Sequence, residues 1–155
     1  PLDSPVGPTY LVVVADPYDQ VAESNENNNS TRTTVDVVEL CLEDVHEPNN
    51  NVAQSAAIEP DSLSDLAICP FDLDWYSFNT TAGKQVAVTL EFTNADGDLD
   101  VRLYFEADLQ QPVASAVSAQ DGEELNFTTT QSGTYYIRVN GFAGDSNSYD
   151  MTLSF

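Results

Sequence analysis

At 155 residues, with 41% hydrophobic and 10% aromatic side chains, the chain can fill one domain core and carry an appendage of a few tens of residues. Two large domains do not fit, and the apolar content is too high for a chain that stays disordered. Four Lys and Arg against 26 Asp and Glu give a formal net charge of −22, which repels phosphate backbones and anionic lipid and excludes nucleic-acid binding.

The chain begins at "PLDSPVGPTYLVVVADP" without a basic and apolar leader, and reads as a mature or trimmed piece of something longer. No apolar run reaches the roughly 18 residues of a membrane span, so no membrane insertion is expected. "TYLVVVADP" is a near-continuous apolar strand, "YDQVAESNENNNS" a polar connection and "TRTTVDVVEL" a second strand. Together they form a hairpin, which is marginal in water unless something covers it.

After Cys41 comes "EDVHEPNNN", and after Cys69 comes "FDLDWY". Both are rich in carboxylate and amide oxygens, the donors that hard cations such as calcium take in sets of six to eight. The alternative for "EPNN" is a plain turn built on Asn and Pro. Cys41 and Cys69, each at the edge of a strand-like run, suggest one disulfide formed in an oxidising compartment, two buried thiols being the alternative. "NNNVAQSAAI" offers the one possible helical turn.

From there the pattern has period two. "KQVAVTLEF" alternates Val86, Val88, Leu90 and Phe92 against Ala87, Thr89 and Glu91. "DVRLYF" turns Val101, Leu103 and Phe105 inward, and "ELNFTT" does so with Leu125 and Phe127. "GTYYIRVNG" turns Tyr135, Ile137 and Val139 inward, and "YDMTLSF" turns Tyr149, Met151, Leu153 and Phe155. "TAGK", "NADGD", "QDGEE", "QSG" and "GFAGDSNS" punctuate these runs. The expectation is an all-β fold, an antiparallel, jelly-roll-like β-sandwich with an N-terminal β-hairpin appendage, divided into residues 1–40 and 41–155. "NADGDLD" spaces Asp96, Asp98 and Asp100 like an EF-hand, but Ala107 stands where the bidentate Glu belongs, so it reads as a hairpin turn.

Two resemblances follow from these blocks. The first hairpin, with Asp16, Glu23, Glu26, Asn27 and Asn28 in its loop, resembles the last hairpin of a CARDB domain, an immunoglobulin-like adhesion module of prokaryotic cell surfaces. "EPNNN", "DLDWYSF", "AGKQVAVTL", "GDLDVRLY", "SGTYYIRVNG" and "YDMTLSF", in that order, resemble a bacterial pre-peptidase C-terminal domain, the β-sandwich that follows the catalytic unit of many secreted peptidases and is related to the collagen-binding modules of clostridial collagenases. That resemblance implies a calcium site built from Glu47, Asn49 and Asn50 with Asp72 and Asp74. The sequence departs from the relatives by having Val45 and Asn50 where they have acids, with Asp44 one position further back as the substitute. A surface tyrosine of the collagen-binding modules is Asn140 here, so collagen specificity is not carried over.

No catalytic constellation assembles. His46 is the sole histidine, no marked nucleophile accompanies it, and the H-E-x-x-H helix is absent. The chain therefore reads as a secreted or cell-surface, non-catalytic accessory module. Alternation aims Trp75, Tyr104 and Tyr136 away from the core, where they could meet an extracellular polymer, protein or glycan. One rival is a structural subunit that pairs with another chain through the first hairpin. The other is a hydrolase, which would need a pocket of perturbed carboxylates.

Overall fold

The computed structural model describes residues 7–15, 18, 20–25, 27–37 and 41–155. Contacts divide the chain into two compact units, Pro1–Leu40 and Cys41–Phe155. In the first, β1 (Gly7–Val14) and β2 (Ser30–Val37) pair antiparallel in unbroken register from Gly7↔Val37 to Val14↔Ser30. The Ala15 amide extends the ladder to the Asn29 carbonyl at 2.7 Å. Because successive side chains point to opposite faces, "YLVVV" places apolar groups on both sides of a two-stranded ribbon. All five residues, Tyr10 to Val14, are 49–61% exposed, and the Arg32 guanidinium lies 5.1 Å from the Tyr10 ring centre. Asp16 and Glu26 of the connecting loop lie outside the described residues.

The second unit contains β3 (Ala56–Ala57), β4 (Asp61–Ile68), β5 (Leu73–Thr80), β6 (Gln85–Glu91), β7 (Leu99–Phe105), β8 (Ala114–Ala116), β9 (Glu123–Thr128), β10 (Gly133–Gly141) and β11 (Asn147–Ser154). A five-stranded sheet runs β3-β5-β10-β7-β8 and a four-stranded sheet runs β4-β11-β6-β9. All pairings are antiparallel except the short β3–β5 contact. The expected inward sets meet between the sheets: Val101, Leu103, Tyr135, Ile137 and Val139 from one, Val86, Val88, Leu90, Leu125, Tyr149, Met151 and Leu153 from the other, all buried. Phe92, Phe127 and Phe155 pack half-buried at its margin. The expected helical turn is a 3-10 turn at Val52–Gln54, capped by the Asn51 side chain.

One expectation is corrected by topology. "NADGDLD" is not a hairpin turn, because β6 and β7 belong to different sheets. The segment crosses the sandwich through a 3-10 turn at Asn94–Asp96 and then Gly97, where a Cβ would stand 2.2 Å from the Ser146 carbonyl oxygen. The links β3–β4, β4–β5, β5–β6, β8–β9, β9–β10 and β10–β11 also change sheets, which leaves β7–β8 as the sequential pair within one sheet among the described strands of this unit. This crossing pattern makes a sandwich rather than a meander, and brings sequence-distant loops to the same end.

Cys41 and Cys69 are bonded, with Cα atoms 5.6 Å apart, and join the start of the unit to the end of β4. The closed loop spans a separation of 28 residues. Replacing both cysteines by serine is expected to lower unfolding free energy by about 3–4 kcal/mol in the chain-entropy model. Urea melts of the wild type and the double variant measure it, and a loss below about 1 kcal/mol would show that the lead-in segment is held without the bridge.

Candidate metal centre

The segment from Cys41 to Asn51 runs onto the sandwich and is fastened at several points. Asp44 accepts the His46 amide at 2.8 Å with one oxygen and the Ala67 amide of β4 at 3.0 Å with the other. The Trp75 amide of β5 donates to the Asn49 carbonyl at 3.0 Å. The Glu47 carboxylate accepts the Asn49 amide at 3.0 Å, and the Glu47–Pro48 bond is cis. His46 packs edge-on to the Tyr76 ring, their centres 5.9 Å apart.

These bonds bring the lead-in against the start of β5. One carboxylate oxygen each from Glu47, Asp72 and Asp74 lies within 4.8 Å of the others. Alternation along β5 turns Asp74 toward the interior beside Tyr76, and both have no exposed surface. The Tyr149 hydroxyl donates to Asp74 Oδ2 at 2.6 Å. Since that hydroxyl has one proton, the 2.8 Å contact between the two tyrosines is a donation from Tyr76 to Tyr149.

Four buried polar atoms of this cluster lack a protein partner: Glu47 Oε1, Asp74 Oδ1 and both ends of the fully buried Asn49 carboxamide. Burial, reinforced by the negative charge of Asp74, pushes the Tyr76 hydroxyl well above the usual phenol range, against the opposing contacts of Tyr149 and Asn49. Leaving a buried acceptor unpaired costs about 1–3 kcal/mol, and more for a charged group. Among the residues from Cys41 onward the one ion pair is Arg102–Asp100, so no side-chain cation of this unit neutralises the cluster. Convergent hard oxygens, buried and without protein cations, are the donor set that calcium takes.

Of the expected ligands, Glu47, Asp72, Asp74 and Asn49 are therefore brought together or buried beside one another. Asn50 is exposed. Asp44 accepts two backbone amides, and its negative charge acts on both Asp74 and Glu47. The binding aromatics depart from expectation. Trp75 and Tyr104 do point away from the inter-sheet core, yet only 7% and 3% of their surface is exposed. Their rings lean together above β10, centres 5.4 Å apart, with the Arg138 guanidinium 5.8 and 5.5 Å from them. Tyr136 is half-buried. Sequence reasoning assigned Tyr149 to the core and gave no sign that its hydroxyl supports an acid 75 positions away.

Burial raises Asp74 to about 8, with the negative charges of Asp44, Asp72 and Glu47 adding to the rise and the Tyr149 hydrogen bond opposing it. Glu47 is also raised, first by desolvation and then by Asp72, Glu43 and Asp44, against the pull of the Asn49 amide. Asp74 has no surface from which to hand a proton to a substrate, so its altered acidity serves burial rather than general-acid chemistry.

Fold and site together define a disulfide-stapled β-sandwich whose lead-in segment is gathered at an acidic oxygen cluster. Residues 72–141, within the second unit, match the family model of the bacterial pre-peptidase C-terminal domain. The pre-peptidase C-terminal domain of a collagenase from Bacillus anthracis is similar at 20% identity, with a TM-score of 0.55 over 64% of this chain and 94% of that one. PliG of Aeromonas hydrophila, a periplasmic inhibitor of g-type lysozyme, shares the fold at 12% identity and a TM-score of 0.50, again over 64% and 94%. No curated protein matches the chain in sequence.

A carboxyl whose folded pKa exceeds its unfolded value of 3.8 adds stability below that value and loses it as pH rises through the folded pKa, here about 8. In chelator, the melting temperature is expected to fall between about pH 5 and pH 8 more steeply for the wild type than for Asp74→Asn. Parallel slopes for the two proteins would show that Asp74 titrates as in the unfolded chain.

Proposed function

We propose that the second unit is a non-catalytic accessory module of an exported protein, and that calcium bound at Glu47, Asp72, Asp74 and Asn49 ties the segment from Cys41 onward to the sandwich. The observation that carries this reading is the set of buried, unpartnered oxygens on the lead-in segment and β5. Calcium would supply the positive charge that the chain does not, with backbone or water oxygens completing its coordination. The Cys41–Cys69 bond fits an oxidising compartment. The similar domain from Bacillus anthracis is part of a collagenase and the Aeromonas hydrophila protein is a periplasmic inhibitor, which supports an exported module that acts by holding or contacting other proteins.

Thermal melting with calcium and with chelator tests the metal. At a hundredfold excess over the dissociation constant, linkage predicts a gain of about 2.7 kcal/mol. Asp74→Asn and Glu47→Gln are each expected to remove most of that gain. Equal melting in calcium and chelator at neutral pH would remove the metal from this reading.

A second reading applies to the first unit alone and rests on the exposure of Tyr10–Val14 on both ribbon faces. The hairpin is the terminal part of a CARDB-like sheet, or adds by strand pairing to another subunit, and a long, flat, apolar edge is suited to that. Light scattering coupled to size exclusion is expected to show concentration-dependent association, which Val13→Lys weakens. A monomer at high concentration for both proteins would rule out association through this ribbon.

A further inference from the structure

The sequence contains two arginines and one lysine from Cys41 onward, and the two arginines stand side by side. The register pairs Arg138 of β10 directly with Arg102 of β7 on the outer face of the five-stranded sheet. Juxtaposed like charges on adjacent strands are unfavourable, and a chain of net charge −22 has carboxylates to spare for neutralising them. Arg102 uses one: it bonds Asp100 at 3.1 Å and the Asn140 amide oxygen at 2.8 Å. Arg138 has no carboxylate within ion-pair distance among the described residues, and its Nε is buried without a hydrogen-bond partner. Its guanidinium is held in place by the Trp75 and Tyr104 rings. A guanidinium fixed by aromatic rings with its donor fork unused is prepared for a carboxylate from outside.

Next to the arginines is a shallow depression of about 440 Å³, lined also by Asn140, Gly141, Gly144, Asp72 and Phe71. Phe71 has a left-handed backbone, φ 66°, and its ring lies on Gly144, where a Cβ would meet it at 2.3 Å. The ring is nonetheless 85% exposed. An apolar wall beside an unpaired guanidinium describes a ligand with a carboxylate next to an apolar group.

We propose that this depression is a docking site for a polypeptide segment that presents a single carboxylate beside an apolar side chain, the carboxylate meeting Arg138 and the apolar group meeting Phe71. The charge of the whole chain selects against polyanions, because long-range repulsion outweighs one cationic pair for a ligand with many negative charges. The apolar half of the depression, Phe71 with Leu73 and the two glycines, matches an apolar side chain beside the carboxylate, which a peptide offers.

Trp75 is the sole tryptophan and packs on Arg138, so its fluorescence reports occupancy directly. The probes are an end-capped hexapeptide with one aspartate following a leucine, its asparagine counterpart, and a short galacturonate oligomer, each titrated in calcium and in chelator. The aspartate peptide is expected to saturate the signal and to bind at least tenfold more tightly than the asparagine peptide. Arg138→Gln should abolish the preference. Phe71→Ala, at an exposed position where folding is little disturbed, should weaken the aspartate peptide several-fold while leaving the calcium-dependent melting shift intact. Equal binding of the two peptides, no saturable binding of either, or tighter binding of the galacturonate oligomer would overturn the proposal. Loss of the calcium response alone would leave the peptide preference standing, so the two sites fail separately.

Discussion

The second unit depends on placing a carboxyl where a hydrophobic sandwich would ordinarily tolerate none. Asp74 sits on a core-forming strand, has no exposed surface, and faces two further acids. A buried charge of this kind is tolerated if it is neutralised, hydrogen-bonded or matched by a counter-ion. The Tyr76–Tyr149 chain satisfies one oxygen by hydrogen bonding. The other oxygen is left for a partner that the protein does not provide. The lead-in segment is fastened accordingly: the Trp75 amide of β5 holds the Asn49 carbonyl, the Asn49 amide holds the Glu47 carboxylate, and Asp44 bonds the amides of His46 and Ala67.

The disulfide and the oxygen cluster act on the same stretch of chain from different directions. The covalent link restricts the unfolded ensemble and is independent of solution conditions short of reduction. The cluster acts in the folded state, and under the calcium proposal protonation of Asp74 and binding of a divalent ion would be alternative ways to remove the same charge.

Period-two patterning was sufficient for the strands whose inward residues are uniformly large, β6, β7, β10 and β11, because their burial is decided by side chain alone. It was insufficient for β4, where "DSLSDLAI" has an acid at position 65 in a left-handed conformation and the pairing with β11 shifts between Tyr149 and Met151. A bulge erases alternation locally, and nothing short of the partner strand reveals it. Which strand joins which sheet was equally hidden: "NADGD" has the composition of a tight hairpin turn and instead spans two layers. For the site, residue chemistry and the family resemblance pointed to Glu47, Asp72 and Asp74, whose carboxylates converge, and to Asn49, buried and bonded to Glu47. That backbone amides of two separate segments bond Asp44 was not legible, because it is settled by three-dimensional position.

The aromatic residues expected to form a binding surface show how the same side chains can be right in direction and wrong in role. Trp75 and Tyr104 leave the core as alternation requires, but two large rings on strands flanking β10 can bury more apolar area against each other than against water. Their contact creates a floor on which a cation is favoured, and Arg138 occupies it. In a protein with 26 acids and four basic residues, a cation stabilised by ring faces rather than by a carboxylate keeps its directional hydrogen-bonding capacity. The outer sheet thus presents donors where the rest of the surface presents acceptors. Recognition by this module therefore belongs to the few positively charged groups that its composition makes scarce, and to the exposed Phe71 ring beside them.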